Sequence, residues 1–344
     1  MKVLVTGGTG FLASHLISAL QTAGHSVSAL VVPSADPARL READVEVHWG
    51  DVRLPETLAA AMRQVDAVFH LAAAIGVRRP LREYHAVNVT GTENVCRAAI
   101  AAGVTRLVHV SSTSVYKQGL GVPVREDSPL EPLPDPYAVT KAAADKLVQR
   151  MSAEGRLPAS IVRTSTIYGP GDHLNFGRIA QRLLSGRSIV IGSGRNRVPF
   201  THVDDVVQGM RLVLEHEGAE GQVYNITDGE SPTQETLLRI IADELGAPMP
   251  RIHVPYRLLY SGAFVAERVA QVTHRPHPIV TRFGVALYGA DNRVAIDKAR
   301  RDLGYEPQVP LRQGVRLAAE WYRGRLDTSE SATSPATAIT GATS

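Results

Sequence analysis

The first half of the 344-residue chain alternates short apolar runs with longer segments of helical periodicity. Six runs read as buried strands: KVLVTG, SVSALVV, VEVHWGDV, AVFHLAA, RLVHVSS and ASIVRTS. Between them, helical spacing is seen in FLASHLISALQTAG, PETLAAAMRQ, VNVTGTENVCRAAIAAG and KAAADKLVQRMSAE. Strands that alternate with helices predict right-handed βαβ units and an α/β fold with a doubly wound parallel sheet of the Rossmann type.

The rhythm changes after about residue 165, where the loops lengthen in YGPGDHLNFG and IGSGRNRVPF. The later segments THVDDVVQGMRLVLEHE and GQVYNIT again read as a helix and a strand of the first domain. We therefore predict a dinucleotide-binding domain over 1–165, to which 200–228 return, and a smaller, mostly helical substrate lobe over 166–199 and 229–325. Residues 326–344 are rich in Ser, Thr and Ala, which predicts a disordered tail.

Composition narrows the class of protein without identifying it. Hydrophobic residues make up 44% and charged residues 21%, and the net charge of +3 is scattered, so we expect no nucleic-acid partner. The single cysteine, Cys96, forms no intramolecular disulfide and belongs to no metal-binding pattern, so we expect no metal. No signal peptide precedes the first strand and no apolar run approaches about 18 residues, which predicts a cytoplasmic protein without a membrane span.

Glycines cluster in VTGGTGFLA, between the first strand and the first helix. Glycine weakens both elements, so its use here indicates close approach to the backbone. Gly8-x-Gly10-x-x-Ala13 fits the dinucleotide fingerprint, and Gly7-x-x-Gly10-x-x-Ala13 fits a related spacing. Gly10 leaves room for a pyrophosphate, and the helix N-terminus offers N–H groups and a positive dipole end. A tight turn without a ligand is the simpler alternative, but the βαβ context favours NAD or NADP.

The end of the second strand bears on the choice between these cofactors. A carboxylate there would hold the ribose 2′-hydroxyl of NAD, whereas Val31 and Val32 occupy these positions. Ser34 is able to donate a hydrogen bond to a 2′-phosphate. The sequence therefore slightly favours NADP.

Tyr137 and Lys141 stand four residues apart at the start of a predicted helix, so their side chains share one face. A phenol titrates near pH 10, and a neighbouring ammonium or a positive nicotinamide ring is expected to lower that pKa. A phenol tuned in this way exchanges a proton with a carbonyl or hydroxyl oxygen. Ser112 ends a strand at the edge where ligands bind in such sheets, and its hydroxyl would orient that oxygen.

The chain resembles the extended short-chain dehydrogenase/reductase family. The resemblance rests on TGGTGFLA, WGDV, HLAA, NVTGTEN, VSSTSVY, YAVTK, RTSTIYGPGD and HVDDV. It implies that Ser112, Tyr137 and Lys141 are catalytic and that Asn88 supports the active-site helix. The cofactor contacts that it implies are Gly7, Thr9, Gly10, Phe11 and Leu12 in the glycine turn, Asp51 and Val52 at the adenine, and Leu71, Ala72 and Ala73 along the dinucleotide. It also implies a homodimer formed through the helices that carry Asn88 and Tyr137.

Members of the family that act on nucleotide sugars share three further features, and this chain departs from all of them. Thr166 replaces an asparagine in RTSTIYGP, Val198 and Pro199 replace an Arg-Asp pair, and the C-terminal lobe lacks an R-x-G-D segment. Nearby arginines (Arg195, Arg197 and Arg293) stand out of register. The apolar segment PYRLLYSGAFVAERVAQV resembles the 3β-hydroxysteroid dehydrogenase-like branch, although an ordinary packing helix is an equal alternative.

These observations predict an NAD(P)-dependent oxidoreductase that interconverts a secondary alcohol and a ketone on a mainly apolar small molecule, such as a sterol or polyketide. The alternatives are a nucleotide-sugar 4-epimerase or dehydratase and a non-catalytic dinucleotide sensor. The candidate substrate contacts are Thr166, His173, Asn175 and Phe176. The residues leave the substrate's identity and the direction of reaction open.

Overall fold

The computed structural model describes residues 1–76, 79–273 and 280–333. Its strands are β1 Lys2–Thr6, β2 Ser26–Val31, β3 Glu46–Trp49, β4 Ala67–His70, β5 Arg106–Ser112, β6 Pro123–Val124, β7 Ala159–Thr164, β8 Thr166–Tyr168, β9 Val190–Ile191, β10 Phe200–His202, β11 Val223–Ile226, β12 His253–Val254 and β13 Arg293–Val294. Its α-helices are α1 Phe11–Thr22, α2 Ala38–Glu42, α3 Leu58–Ala61, α4 Leu81–Tyr84, α5 Gly91–Ala102, α6 Pro136–Ala153, α7 Phe176–Leu184, α8 Val203–Glu215, α9 Gln234–Leu245, α10 Tyr256–Val272, α11 Arg282–Gly289, α12 Asp297–Leu303 and α13 Leu311–Thr333.

Seven strands form one parallel sheet in the order β11-β7-β5-β4-β1-β2-β3. The chain runs outward from β1 through β2 to β3, then crosses back to β4 on the other side of β1. The strand order therefore reverses between β1 and β4, and in such sheets the ligand crevice lies beyond the carboxyl ends of the strands at that point. The predicted doubly wound fold is confirmed.

Helices cover both faces of this sheet. On one face, α1 and α8 bury Leu16, Leu20 and Met210 against the strands. On the other face, α3, α5 and α6 bury a second apolar layer that includes Cys96 and Met151. A strand buried on both faces has to be apolar along its whole length, which explains the continuous apolar runs of the sequence.

The smaller lobe is mostly helical. Within it, α7, α9 and α13 enclose a separate apolar core, and α10 packs against α11. The packing does not follow the predicted division at residue 229, because Ile296, Leu303 and Tyr305, in and beside α12, join the core of the sheet domain. Helix α13 extends to Thr333, inside the segment assigned to a tail, and 334–344 lie outside the described residues. None of the described helices is long and apolar enough to cross a bilayer.

Candidate active site

The turn between β1 and α1 is built so that only glycine fits two of its positions. Gly7 has a φ of +72°, and a Cβ there would lie 3.0 Å from the backbone N and Cα of Ala72. A Cβ on Gly8 would lie 2.6 Å from the Cβ of Ala29, closer than carbon atoms pack. The turn is thus pressed against β2 and the segment after β4, which shapes the crevice at the switch point.

Helix α1 begins at this turn without a capping side chain among the described residues. Gly10 occupies the N-cap position, and no acidic residue stands in the first turn. The first N–H groups of the helix, on Phe11 and Leu12, therefore keep their hydrogen-bonding capacity and the positive end of the helix dipole. Such an N-terminus binds phosphate, so the turn fits the pyrophosphate of a dinucleotide.

The three catalytic candidates meet beyond the carboxyl end of β5. Pro136 starts α6, and the Asp135 side chain caps it by accepting from the backbone N–H of Tyr137 at 2.9 Å. One turn further on, the Lys141 Nζ donates to the Val110 carbonyl of β5 at 2.6 Å. Ser112 ends β5 and lines the same cavity as Tyr137, close enough for its hydroxyl to lower the pKa of the phenol.

Burial shifts the pKa values of Tyr137 and Lys141 in opposite directions. It raises the pKa of Tyr137 to about 12, and the Ser112 hydroxyl only partly opposes this rise. It lowers the pKa of Lys141 to about 8, against the charge of Asp145. The prediction that the lysine lowers the pKa of the phenol is wrong for the chain alone, because desolvation dominates and the ammonium donates to a backbone carbonyl.

Asn88 links the helix that carries Tyr137 to the segment that follows β4. It lies in a π-helical stretch, His85–Thr90, that leads into α5. Its Oδ1 accepts from the Ala74 N–H at 2.7 Å, and its Nδ2 donates to the Ala74 carbonyl and, at 3.0 Å, to Thr140 Oγ1 next to Lys141. This geometry agrees with the supporting role expected of Asn88.

One large cavity, of about 1040 Å³, joins the glycine turn to the catalytic residues and the smaller lobe. Most of the predicted cofactor contacts line it, namely Gly7, Thr9, Gly10, Phe11, Leu12, Leu71, Ala72 and Ala73, together with Ser112, Tyr137 and Lys141. Ser34, Asp51 and Val52 are not part of its wall. Asp51 is bound instead by Arg53, whose hydrogen bonds hold the pKa of the carboxyl below its usual value.

The four predicted substrate residues are not all at the cavity. Thr166, His173 and Asn175 line it. Phe176 does not: it is fully buried in the core of the lobe, with its ring edge-on to Tyr322. Phe176 therefore anchors α7 rather than facing a ligand, and we drop it from the substrate contacts.

The lobe also supplies an apolar wall that the sequence does not reveal. Its members include Ile179, Ile191, Leu237, Leu259 and Phe283. The Phe283 ring, on α11, lies edge-on to Tyr137 with the ring centroids 6.3 Å apart. The Tyr137 phenol thus lies beside an apolar surface, which suits a mainly apolar ligand.

Comparison with known proteins identifies the family of the chain. The model of the NAD dependent epimerase/dehydratase family matches residues 3–227. The chain belongs to this family. Its relatives place it in the extended short-chain dehydrogenase/reductase branch.

Two curated relatives of this family member are oxidoreductases. The chain is 33% identical to a 2-alkyl-3-oxoalkanoate reductase of Stenotrophomonas maltophilia over 330 residues, which cover 92% of this chain and 98% of that protein. It is 32% identical to a 3-beta-hydroxysteroid dehydrogenase of Mycolicibacterium neoaurum, with 95% of this chain and 93% of that protein covered. Among solved structures, a dTDP-glucose 4,6-dehydratase of Streptomyces venezuelae with NAD bound is 30% identical, with a TM-score of 0.77 and coverage of 95% of this chain and 98% of that one.

In this member of the epimerase/dehydratase family, the arginines nearest in sequence to the diphosphate-binding positions of nucleotide-sugar enzymes bind other groups of the protein. Arg293 pairs with Asp291 at 2.9 Å, and Arg197 Nη1 donates to the Ser231 carbonyl at 2.9 Å. Neither these two nor Arg195 is part of the cavity wall. The structure thus agrees with the departures from the nucleotide-sugar pattern seen in the sequence.

Proposed function

We propose that the protein is an NAD(P)-dependent oxidoreductase that interconverts a secondary alcohol and a ketone on a mainly apolar, sterol- or polyketide-like molecule. The observation that carries this proposal is the meeting of Tyr137 with Ser112 and with the apolar Phe283 in the cavity that also contains the glycine turn. The two oxidoreductase relatives, named for a 3-oxoalkanoate and a 3-beta-hydroxysteroid, support it.

Each catalytic side chain has a distinct task in this reaction. A bound nicotinamide supplies or accepts the hydride. Tyr137 transfers the proton to or from the substrate oxygen through its phenolic hydroxyl, and Ser112 holds that oxygen by a hydrogen bond. Lys141 would bind the nicotinamide ribose through its ammonium. With its pKa near 8, it is mostly protonated at neutral pH and able to donate to the ribose hydroxyls.

We further propose a slight preference for NADP. The second strand ends at Val31, the following Val32 is 39% exposed, and neither offers a carboxylate that would repel a 2′-phosphate. Dissociation constants of NAD, NADP and their reduced forms, measured by cofactor fluorescence, test this preference. Binding of NAD at least about tenfold tighter, which corresponds to about 1.4 kcal/mol, would reverse it.

The proposed reaction is tested with Tyr137→Phe on a panel of ketones, sterols and nucleotide sugars. Removing the proton donor should lower kcat by about 10²- to 10⁴-fold while leaving the cofactor dissociation constant unchanged. Tyr260→Phe is a matched control, because Tyr260 stacks on Tyr256 outside the cavity wall. Full turnover of a ketone by Tyr137→Phe would contradict the assignment.

The second candidate function is a nucleotide-sugar 4-epimerase or dehydratase, favoured by the structural likeness to the Streptomyces venezuelae dehydratase. Such an enzyme regenerates its cofactor in each cycle. Protein purified with stoichiometric dinucleotide and active on a UDP- or dTDP-sugar would support this alternative. A non-catalytic sensor is disfavoured, because both Tyr137 and Lys141 are present.

We also propose a cytoplasmic homodimer that pairs α5 and α6 with their copies. Two apolar side chains on these helices, Ile100 and Val139, are 37% and 42% exposed in the single chain. Burying them against a second copy would remove apolar surface from water. Sedimentation of the wild type and of Val139→Glu tests the arrangement, and a wild-type monomer would rule it out.

A further inference from the structure

Three arginines of the lobe face the cavity without an acidic partner. Arg178 and Arg182 lie one turn apart on α7, and Arg187 follows the end of that helix. All three line the cavity that contains Tyr137. Within the described ranges, none of them has a carboxylate within 4.0 Å, whereas Arg239 on α9 pairs with Glu235.

The carboxylate of Asp172, which also belongs to the cavity wall, already accepts three backbone hydrogen bonds. Asp172 precedes α7 and accepts from the backbone N–H groups of Leu174 at 2.9 Å, Asn175 at 3.0 Å and Phe176 at 2.7 Å. Its single negative charge interacts with the N–H groups at the start of α7, and it offsets only part of the positive charge of the three guanidinium groups. This end of the cavity therefore keeps an excess of positive charge.

Helix α11 relates these arginines to the catalytic residues. Near its start, Phe283 lies against the ring of Tyr137. Near its end, burial and Asp172 raise the pKa of Tyr288, while the positive charges of Arg178 and Arg182 oppose the rise, so both guanidinium groups lie near that phenol. Neither arginine contributes to the shift at Tyr137.

The geometry of α11 separates the end of the cavity that contains Tyr137 from the end that contains the arginines. Phe283 and Tyr288 are five residues apart on the α-helix, which corresponds to a rise of about 7.5 Å. Leu287, which lies between Phe283 and Tyr288 on α11, is an apolar member of the cavity wall, as is Leu237 of α9. A ligand that reaches from the catalytic phenol to the arginines thus crosses an apolar stretch first.

We propose that Arg178 and Arg182, assisted by Arg187, bind an anionic head group of the substrate, a carboxylate or a phosphate, at the end of the molecule remote from the reacting carbon. This inference rests on the proposed alcohol–ketone chemistry and specifies its substrate class as apolar molecules with a distal acidic group. Guanidinium groups suit this task, because they stay charged and bind carboxylate or phosphate oxygens in pairs.

A binding experiment tests the head-group site without turnover. Isothermal titration calorimetry compares laurate, dodecyl phosphate and dodecanol on the wild type and on Arg178→Gln/Arg182→Gln. The double variant should lose about tenfold or more of its affinity for the anions and none for dodecanol, because only charge-assisted hydrogen bonds are removed. The stronger of the two anions identifies the head group. Arg195→Gln/Arg251→Gln, which removes two exposed charges outside the cavity wall, should behave as the wild type.

A turnover experiment separates this site from the proposed reaction. The probes are 3-oxo-4-androstene-17β-carboxylate and its methyl ester, which carry the ketone and the distal group at opposite ends of one ring system. The double variant should raise KM for the acid with kcat unchanged, since the contact is made equally in the ground and transition states. The inference is overturned if the wild type binds the anions no more tightly than dodecanol, or if the double variant binds them equally well. Anion binding without reduction of any ketone would instead refute the proposed reaction.

Discussion

A buried ion pair supports the helix that carries Tyr137 and Lys141, and its removal provides a stringent test of how that helix is held. Asp145 lies one turn beyond Lys141 on α6, and its side chain is fully buried, as is that of Arg163 on β7. Arg163 donates to the two carboxylate oxygens from Nε and Nη2, each at 2.9 Å. Ser111 and Gln149 donate to the same carboxylate, each at 2.6 Å.

Asp145→Ala leaves the guanidinium of Arg163 charged and buried. Removal of one partner of a buried pair costs about 3–5 kcal/mol of unfolding free energy. The unfolding entropy is about 2.1 cal/mol/K per residue near 60 °C, or about 0.7 kcal/mol/K for this chain. The melting midpoint should therefore fall by about 4–7 °C.

The midpoint is measured by circular dichroism at one fixed scan rate. Asp243→Ala is the matched control, because Asp243 and its partner Arg312 are both about half exposed, and such a pair contributes at most about 1 kcal/mol. Asp145→Leu/Arg163→Met replaces both charges by apolar groups and should recover much of the loss. An Asp145→Ala midpoint within about 1 °C of the wild type, or a double variant no more stable than the single one, would refute the reasoning.

Three further predictions follow from the site. Burial lowers the pKa of Lys141 to about 8, so between pH 8 and 10.5 the unfolded chain binds more protons than the folded chain and the unfolding free energy rises with pH. Lys141→Met should reduce this rise, measured by denaturation at pH 7.5 and pH 10, by about 2 kcal/mol. An equal rise in the wild type and the variant would count against the prediction. Asn88→Ala removes the hydrogen bonds to Ala74 and Thr140 and should lower the unfolding free energy, measured in urea, by about 1–3 kcal/mol. The variant should also lower kcat more than it raises KM. Unchanged unfolding free energy and kcat would exclude the supporting role. Gly8→Ala forces a Cβ against Ala29 and should lower the unfolding free energy by about 1–3 kcal/mol and weaken dinucleotide binding. Melting curves recorded with and without NADP measure both effects. Curves identical to those of the wild type would show that the turn is looser than described.

The order of elements in the sheet domain could be predicted because its strands other than the edge strand β3 are largely buried on both faces, whereas its longer helices are buried on one. Those two patterns differ within a window of ten residues, so local sequence suffices. Shorter elements escaped this reasoning. PETLAAAMRQ forms only a 3₁₀ turn and the single helical turn Leu58–Ala61, while the helix Ala38–Glu42 was not predicted, since one buried side chain, Leu40, gives no periodicity.

The grouping of the three catalytic candidates could be predicted from the sequence for the same local reason. Tyr137 and Lys141 share one helix, and Ser112 ends the strand that the helix covers. The direction of the tyrosine's shift was not accessible, because desolvation depends on everything packed around the phenol. The apolar wall has no motif either: Phe283 stands almost 150 residues further along the chain and reaches Tyr137 only through the fold of the lobe.

The sheet domain and the smaller lobe supply different groups to the cavity, and this difference limits which substrates the protein can accept. The sheet domain supplies Tyr137, the proposed proton donor, and the glycine turn, whereas the lobe supplies the apolar wall, so we expect selectivity to come from the lobe. A nucleotide diphosphate needs arginines at the pyrophosphate, yet Arg197 and Arg293 are held by backbone carbonyls and by Asp291. Two cavity arginines without a carboxylate partner among the described residues, Arg178 and Arg182, stand instead on α7, beyond an apolar stretch from the phenol. Since guanidinium groups without a protein partner are the ones free to bind an anion, the lobe is arranged for a single acidic group at the far end of an apolar molecule rather than for a diphosphate beside a sugar.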